Sequence, residues 1–281
     1  MAGAALVVLL VAILLGFIIW NGIQVVLHSH IPLDNLLSTH WEPLADPQAF
    51  GILPFVAGTA GVTLLAALIA TPLSVGLAIF MAEIAPNWAR RIAQPAMEVF
   101  VGIPSVVWGW LGITILVPFL RTNLGWAGFR FGFSLFAGAV VLSMMILPTI
   151  TTIAYDTIKA VPAELRGGSL ALGTTRWQTT RHVILPAALT GIVTAVVLGM
   201  MRAAGEALAV QMVIGNRPVI PTSLTDPMTT LTSQITLDMG NTVNGEPWNE
   251  ALWLMGLVLL LISLGFVSLV RWLTRGRDIS A

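Results

Sequence analysis

Residues 53–82 read LPFVAGTAGVTLLAALIATPLSVGLAIFMA, a run with no charged side chain from end to end. A helix needs about 20 mostly apolar residues to cross the hydrocarbon core of a bilayer, so this run is long enough to span. Five further stretches share its character, at roughly 4–27, 97–120, 132–154, 187–214 and 251–271. Nearly all Asp, Glu, Arg and Lys fall in the spacers between them. A membrane β-barrel would instead show alternating segments of about ten residues, and none occurs. The chain reads as an all-α integral membrane protein with six transmembrane helices.

Composition agrees. Of 281 residues, 57% are hydrophobic and 9% charged, against roughly 25% charged in soluble domains, so the surplus apolar surface has to face lipid. There is no cysteine, which removes disulfides, thiolate metal sites and cysteine nucleophiles. His28 and His30 stand near a predicted membrane exit, but two histidines with no third ligand rarely hold a metal; His40 and His182 are scattered. No metal site, no nucleophile–base constellation and no basic stripe for nucleic acid is expected. The first stretch lacks a basic leader region and a small-residue cleavage pattern, so it reads as an anchor helix rather than a signal peptide.

The basic residues set the orientation. Arg90, Arg91, Lys159, Arg166, Arg176, Arg181, Arg271, Arg275 and Arg277 fall on one side, and only Arg121, Arg130 and Arg217 on the other. The richer side is expected to be cytoplasmic, with both termini inside, in a multi-pass protein of the bacterial cytoplasmic (inner) membrane. Segments 28–52 and 215–250 are then external. They are rich in Pro, Thr, Asp and Asn, and Trp41 and Trp248 suit contact with a soluble partner.

Two charges lie inside a predicted span. Arg202 and Glu206 are four residues apart in the fifth stretch, hence on one face of a continuous helix. An arginine at membrane depth costs at least about 2.5–3.5 kcal/mol and is tolerated facing a bundle interior with a partner. Glu206 is the expected partner. One reading is a structural ion pair. The other, preferred here, is an anion-selective point in a substrate path, because a guanidinium offers the forked donors that an oxyanion accepts. Glu98 precedes Gly102 and Pro104, where a kink or break is expected; it reads as an interfacial residue. Gly58, Gly61, Gly76, Gly138, Gly191 and Gly199 read as sites of close helix packing.

The loop 155–186, YDTIKAVPAELRGGSLALGTTRWQTTRHVILP, is too apolar for a linker. Pro162 before Ala163-Glu164-Leu165-Arg166 suits a helix start. Gly173 breaks the pattern and Thr174-Thr175 can cap the next turn. Two short helices along the membrane face are expected, with Leu170, Leu172 and Trp177 offered to a cytosolic partner. The spacing Gly173, nine residues, Val183, one residue, Leu185-Pro186 resembles the signature loop of permease subunits of bacterial ABC importers. The blocks ATPLSVGLAIFMAEIAP (70–86), VGIPSVVWGW (101–110), LPTITTIAYDTIKAVPAELR (147–166) and RAAGEALAVQMVIGN (202–216) are similar to phosphate-importer permeases of the PstC type. The family usually has Glu-Ala-Ala where this chain has Gly167-Gly168-Ser169. Two glycines inside a helix cost roughly 1 kcal/mol each relative to alanine.

The resemblance implies an ABC type I importer permease fold over about 53–275, preceded by an N-terminal helix and external loop at 1–52. It implies phosphate translocation past Arg202 and Glu206, and ATPase coupling through Glu164, Leu170, Leu172, Gly173, Trp177 and Pro186. The implied partners are a second permease of the PstA type, an ATPase dimer binding ATP and Mg, and an extracytoplasmic phosphate-binding protein. This chain itself has no phosphate-binding Gly-x-x-x-x-Gly-Lys-Ser/Thr loop; its sole lysine, Lys159, lacks the glycine frame. No cofactor is therefore expected in the chain and no enzyme activity. A permease for sulfate, molybdate or tungstate, or a proton-coupled secondary transporter using Glu206, are the competing readings.

Overall fold

The structure, a computed structural model, describes residues 2–275. Arg277 and the C-terminal end, used above for orientation, lie outside the described residues. Six helices are long and apolar enough to cross a membrane: Gly3–Leu27, Leu53–Ile84, Ser105–Asn123, Leu135–Lys159, Arg176–Ala204 and Pro247–Thr274. In detail, α1 is Ala2–Leu27, and the segment after it holds the single turn α2 (Leu33–Leu36) and the hairpin β1 (Trp41–Glu42) with β2 (Ala49–Phe50). The second span is α3 (Leu53–Ile79) closed by a π-turn at Phe80–Ile84. A separate amphipathic helix, α4 (Asn87–Gly102), precedes the third span. That span is α5 (Ser105–Leu111), a π-turn at Gly112–Leu116, and α6 (Val117–Asn123). The fourth is α7 (Leu135–Lys159), followed by α8 (Ala163–Ala171). The fifth joins α9 (Arg176–Thr179), a π-turn at Thr180–Ile184 and α10 (Leu185–Ala204). Short helices α11 (Leu208–Gln211) and α12 (Leu231–Asp238) lead to the sixth span, α13 (Pro247–Thr274).

The fourth span is the centre of the bundle. Its most apolar window is 61% buried, whereas those of the first and sixth spans are 0% and 6% buried and so keep their apolar faces for lipid. α7 packs along α3 and α10. The approach is close because glycines line it: a Cβ on Gly138 would meet Val62 of α3 at 3.2 Å, and one on Gly199 would meet Ile150 at 2.6 Å. Gly191 faces Thr157, and Gly61 faces Leu135 at 3.1 Å. Gly76 faces open space, so close packing within the chain does not account for it. Ser74 donates to the Leu147 carbonyl at 3.1 Å, a polar link between α3 and α7.

α1 packs on α13 instead. Phe17 meets Trp253 edge to face at 5.3 Å, and at the hairpin end Glu250 accepts from Ser29 Oγ at 2.6 Å and lies 2.8 Å from His28 Nδ1. Glu250 is 2% exposed, so His28 belongs to this pairing rather than to a metal site. No group of three or more His, Cys, Asp or Glu able to hold a metal occurs among the described residues.

Four sequence expectations are corrected. The third span starts at Ser105, not near 97, because residues 97–102 belong to amphipathic α4 and the chain breaks at Ile103-Pro104. The fifth span runs Arg176–Ala204 rather than 187–214, so the second of the two short helices expected in the loop is in fact its first turn. Trp41 is a core residue, not a contact surface: it is buried and stacks edge-on against Phe50 and Phe55. Trp248 donates its ring N–H to Asp238 at 3.2 Å. Finally, 215–250 is not external throughout, since Met228 to Gln234 are all buried in the bundle.

The exposed part of that segment is organised by Asp226. Its carboxylate accepts from the Thr222 hydroxyl, the Thr222 N–H and the Ser223 N–H, each at 2.9 Å, while its carbonyl accepts the Leu135 N–H at 2.9 Å near the start of α7. The Thr222 hydroxyl above all, then the two backbone donors and nearby Arg217, hold the Asp226 pKa below the ordinary carboxylate value against a small opposing effect of burial. A depressed folded-state pKa contributes stability above the ordinary value and loses it as pH falls through the depressed one. The Asp226 carboxyl, followed by NMR on aspartate-labelled protein, should titrate below the ordinary range, and Thr222→Val should move its midpoint up.

Candidate functional site: a broken span and the α8 corner

Apolar sequence continues past Ala204 as far as Ile214, yet the helix does not. Gly205 caps α10, and the Gly205 and Glu206 N–H groups close the end on Met201 and Ala203 carbonyls at 3.3 and 3.2 Å. The chain then turns back into the bundle. Val210, Val213, Ile214, Met228 and Leu231 are fully buried with much of their backbone outside regular helix. Such backbone at membrane depth is stable only where protein or a water-lined cavity surrounds it. Here its polar groups are paired one by one. Ser134 N–H donates to the Val213 carbonyl at 3.2 Å, Met228 N–H to Ile214 at 3.0 Å, and Leu231 N–H to the Thr59 hydroxyl at 3.0 Å. Thr232 Oγ1 donates to the Glu206 carbonyl at 2.7 Å. Gly58 is the spacer that lets this segment sit: a Cβ there would collide with the Thr229 carbonyl.

Arg202 stands in the last turn of α10, beside this break. Its Nη1 donates to the Thr149 hydroxyl of α7 at 2.6 Å. The expected ion pair with Glu206 is not formed. Among the described residues, the ion pairs are His28–Glu250 and Arg166–Glu83. The reason is the break itself: four-residue spacing brings side chains together only on an unbroken helix, and Gly205 lies between the two. Glu206 instead accepts the Ala209 N–H at 3.3 Å at the start of α11. Both residues are partly exposed, so their charges are not sealed in the apolar core. The bundle that holds them carries buried hydroxyls: Thr59, Thr63, Thr151, Thr229, Thr230, Thr232 and Ser233, of which Thr232 reaches the Glu206 carbonyl. Among the described residues the Thr63, Thr151 and Thr229 hydroxyls have no hydrogen-bond partner.

Sequence reasoning missed Thr149 and the Thr229–Ser233 seam. The signal for the seam was present: TTLTS follows Asp226-Pro227-Met228 with four hydroxyls in five residues.

The second group of residues lies at the opposite end of the bundle, on α8 and the turn after it. Leu172 is 86% exposed and Trp177 59%, with Leu170 and Glu164 also on the surface. Gly173 has φ +81°, the left-handed conformation that ends α8. Thr175 accepts the Gln178 N–H, and Gln178 Oε1 accepts the Thr175 N–H, a reciprocal cap on α9. Pro186 stands in the first turn of α10, beyond the π-turn. Arg166 fixes α8 to two spans, reaching Glu83 at 3.0 Å and the Ile158 carbonyl at 2.7 Å. A cavity of about 460 Å³ opens beside this pair, lined by Glu83, Arg166, Leu170, Arg176 and Trp177 among others. Glu98 is exposed on α4.

Comparison with known proteins gives one family. The model of the binding-protein-dependent transport system inner membrane component matches residues 74–279. The "Probable ABC transporter permease protein YqgH" of Bacillus subtilis is 53% identical over 88% of this chain and 79% of its own length. The phosphate transport system permease protein PstC of Haemophilus influenzae is 35% identical over 91% of this chain and 84% of its own. Among solved structures, a bacterial ABC transporter that imports the polysaccharide alginate superposes with a TM-score of 0.62 at 16% identity, covering 97% of this chain and 96% of that one. The methionine transporter MetNI superposes at 0.59 and 20% identity, covering 82% of this chain and all of the other. The shared architecture is the ABC type I importer permease fold.

The two possible partners of Arg202 are separable by double-mutant cycles. Thr149→Val combined with Arg202→Met should show a coupling of about 1.5–3 kcal/mol, the range for a hydrogen bond to a charged group. Glu206→Gln combined with Arg202→Met should show coupling near zero. Unfolding of the purified protein in detergent measures both.

Proposed function

The chain belongs to the family of binding-protein-dependent transport system inner membrane components, and we propose that it is the phosphate-conducting permease subunit of an ATP-driven importer. Its membership makes it a multi-pass permease of ABC importers; phosphate is the further step. The observation that carries this step is Arg202, held by Thr149 at 2.6 Å where the fifth span breaks among buried hydroxyls. A guanidinium with one donor engaged keeps others for a tetrahedral oxyanion, and partner-free hydroxyls add donors that do not raise the net charge. Transient binding follows, because passage needs release as well as capture. Glu206, free of Arg202, is an acidic wall beside the path rather than the ground-state counter-ion. Relatives named as phosphate permeases support the same substrate. In this reading a second permease of the PstA type completes the channel. A separate ATPase dimer binds ATP and Mg and docks on Leu170, Leu172 and Trp177. An extracytoplasmic phosphate-binding protein delivers the substrate to the hairpin side.

Uptake of radiolabelled phosphate in cells lacking other phosphate importers tests the reading, with membrane abundance measured in parallel. Arg202→Lys keeps the charge but loses the fork, and uptake should fall about tenfold or more, as for one lost charge-assisted hydrogen bond. Full uptake by that variant, or uptake of sulfate or molybdate in place of phosphate, rejects phosphate conduction past Arg202.

Orientation follows from the same proposal, with α8 cytoplasmic. Because the native chain has no cysteine, Thr175→Cys and Thr222→Cys each introduce a unique label site. In sealed cells an impermeant maleimide should modify the second and spare the first; the reverse pattern inverts the topology.

A further inference from the structure

The corner between α8 and the fifth span holds a cluster that the substrate path does not use. Ser169 sits in the last turn of α8, Thr174 just past Gly173, and Thr179 at the end of α9. Ser169 Oγ lies 2.8 Å from Thr174 Oγ1 and 3.1 Å from Thr179 Oγ1, and the two threonine oxygens are 2.9 Å apart. Thr174 also donates to the Ser169 carbonyl at 2.8 Å. Each hydroxyl has one proton to give. With the Thr174 proton on that carbonyl, Ser169 and Thr179 supply two protons for three oxygen–oxygen edges. Two edges are filled at a time, and rotation of a hydroxyl changes which. Thr179 is 3% exposed, so water does not readily replace a lost partner.

The cluster also occupies a gap in the tethering of α8. Arg166 ties α8 to the second span through Glu83 and to the fourth through the Ile158 carbonyl. Neither bond reaches the fifth span, the one that carries Arg202. The hydroxyl bonds of Ser169 and Thr174 to Thr179 do. Gly173, with φ +81° and nothing near its missing Cβ, leaves the connecting turn free of side-chain packing of its own. Leu172 beside it is almost wholly exposed.

We propose that Ser169, Thr174 and Thr179 form a hydroxyl clasp that positions α8 on the fifth span, so that displacement of α8 is passed to the helix bearing Arg202. The clasp rests on the reading of this chain as an ATP-driven permease. These three are positioning residues and touch no substrate. Thr179→Val keeps the shape and removes the hydroxyl; Thr179→Ser keeps the hydroxyl.

The assembled transporter in proteoliposomes gives two readouts. Spin labels on Ala163→Cys and Arg181→Cys, both exposed positions outside the proposed docking residues, report the distance between α8 and the fifth span without nucleotide or substrate. The distribution should broaden in Thr179→Val and narrow again in Thr179→Ser. Phosphate imported per ATP hydrolysed should fall about threefold or more in Thr179→Val, the scale of one lost hydrogen bond, while hydrolysis continues, and Thr179→Ser should restore it. An unchanged distance distribution, an unchanged ratio, or uptake and hydrolysis falling in proportion overturns the clasp. If Thr179→Val does not reach the membrane, Ser169→Ala carries the same two measurements. If the unaltered assembly imports no phosphate, the functional reading fails, and the label distances still decide the clasp.

Discussion

A helix that stops inside an apolar bundle exposes backbone N–H and C=O groups that no solvent is there to satisfy. The rest of this structure is arranged around that constraint. α10 ends at Gly205, and after the single turn α11 the chain returns through Val213, Ile214 and Met228 before α12 begins at Leu231. The bonds that repair the break come from three elements: Ser134 before α7, Thr59 in α3, and Thr232 in α12. Gly58 and Gly138 are small where this segment presses against α3 and α7. Thr63, Ser143 and Thr151 also carry hydroxyls into an otherwise apolar core, and Ser143 returns its proton to the Val140 carbonyl of its own helix.

The same break decides the electrostatics. On a continuous helix Arg202 and Glu206 would be placed to neutralise each other. Gly205 turns Glu206 toward α11, and a neutral hydroxyl from Thr149 takes its place at Arg202. A hydroxyl orients the guanidinium and leaves its charge uncompensated. The cost of that charge at depth is lowered by partial exposure to the open side of the bundle, where neither residue is sealed by this chain.

Six spans were legible because each carries an uninterrupted apolar run and the charges lie between them. Where the runs misled, the cause was the same in both cases. Residues 97–102 are mostly apolar but sit on amphipathic α4, and 205–214 are mostly apolar but lie beyond the end of α10, in short α11 and the turns around it. Hydropathy measures burial, not helical continuity. Pro104 and Gly205 were the marks of discontinuity, and only the first was given weight. Trp41 shows a related limit, since an aromatic in a polar segment can be core to a small cluster of its own, here with Phe50, Phe55 and Leu252. The α8 corner was legible as apolar residues in a polar loop and as a glycine stop. The hydroxyl contacts from Ser169 to Thr179 were not, because they depend on how the turn folds back.

The bond between His28, Ser29 and Glu250 joins the first span to the last. Among the described residues the main helical neighbour of α1 is α13, which lies more than two hundred residues further along the chain. During translation the first span is therefore made well before the helix it packs on. Its very high apolar content is what lets it wait in the bilayer without a partner. The buried carboxylate comes with the first turn of α13, so the bond to Ser29 can fasten the first span only after the spans between them have been made.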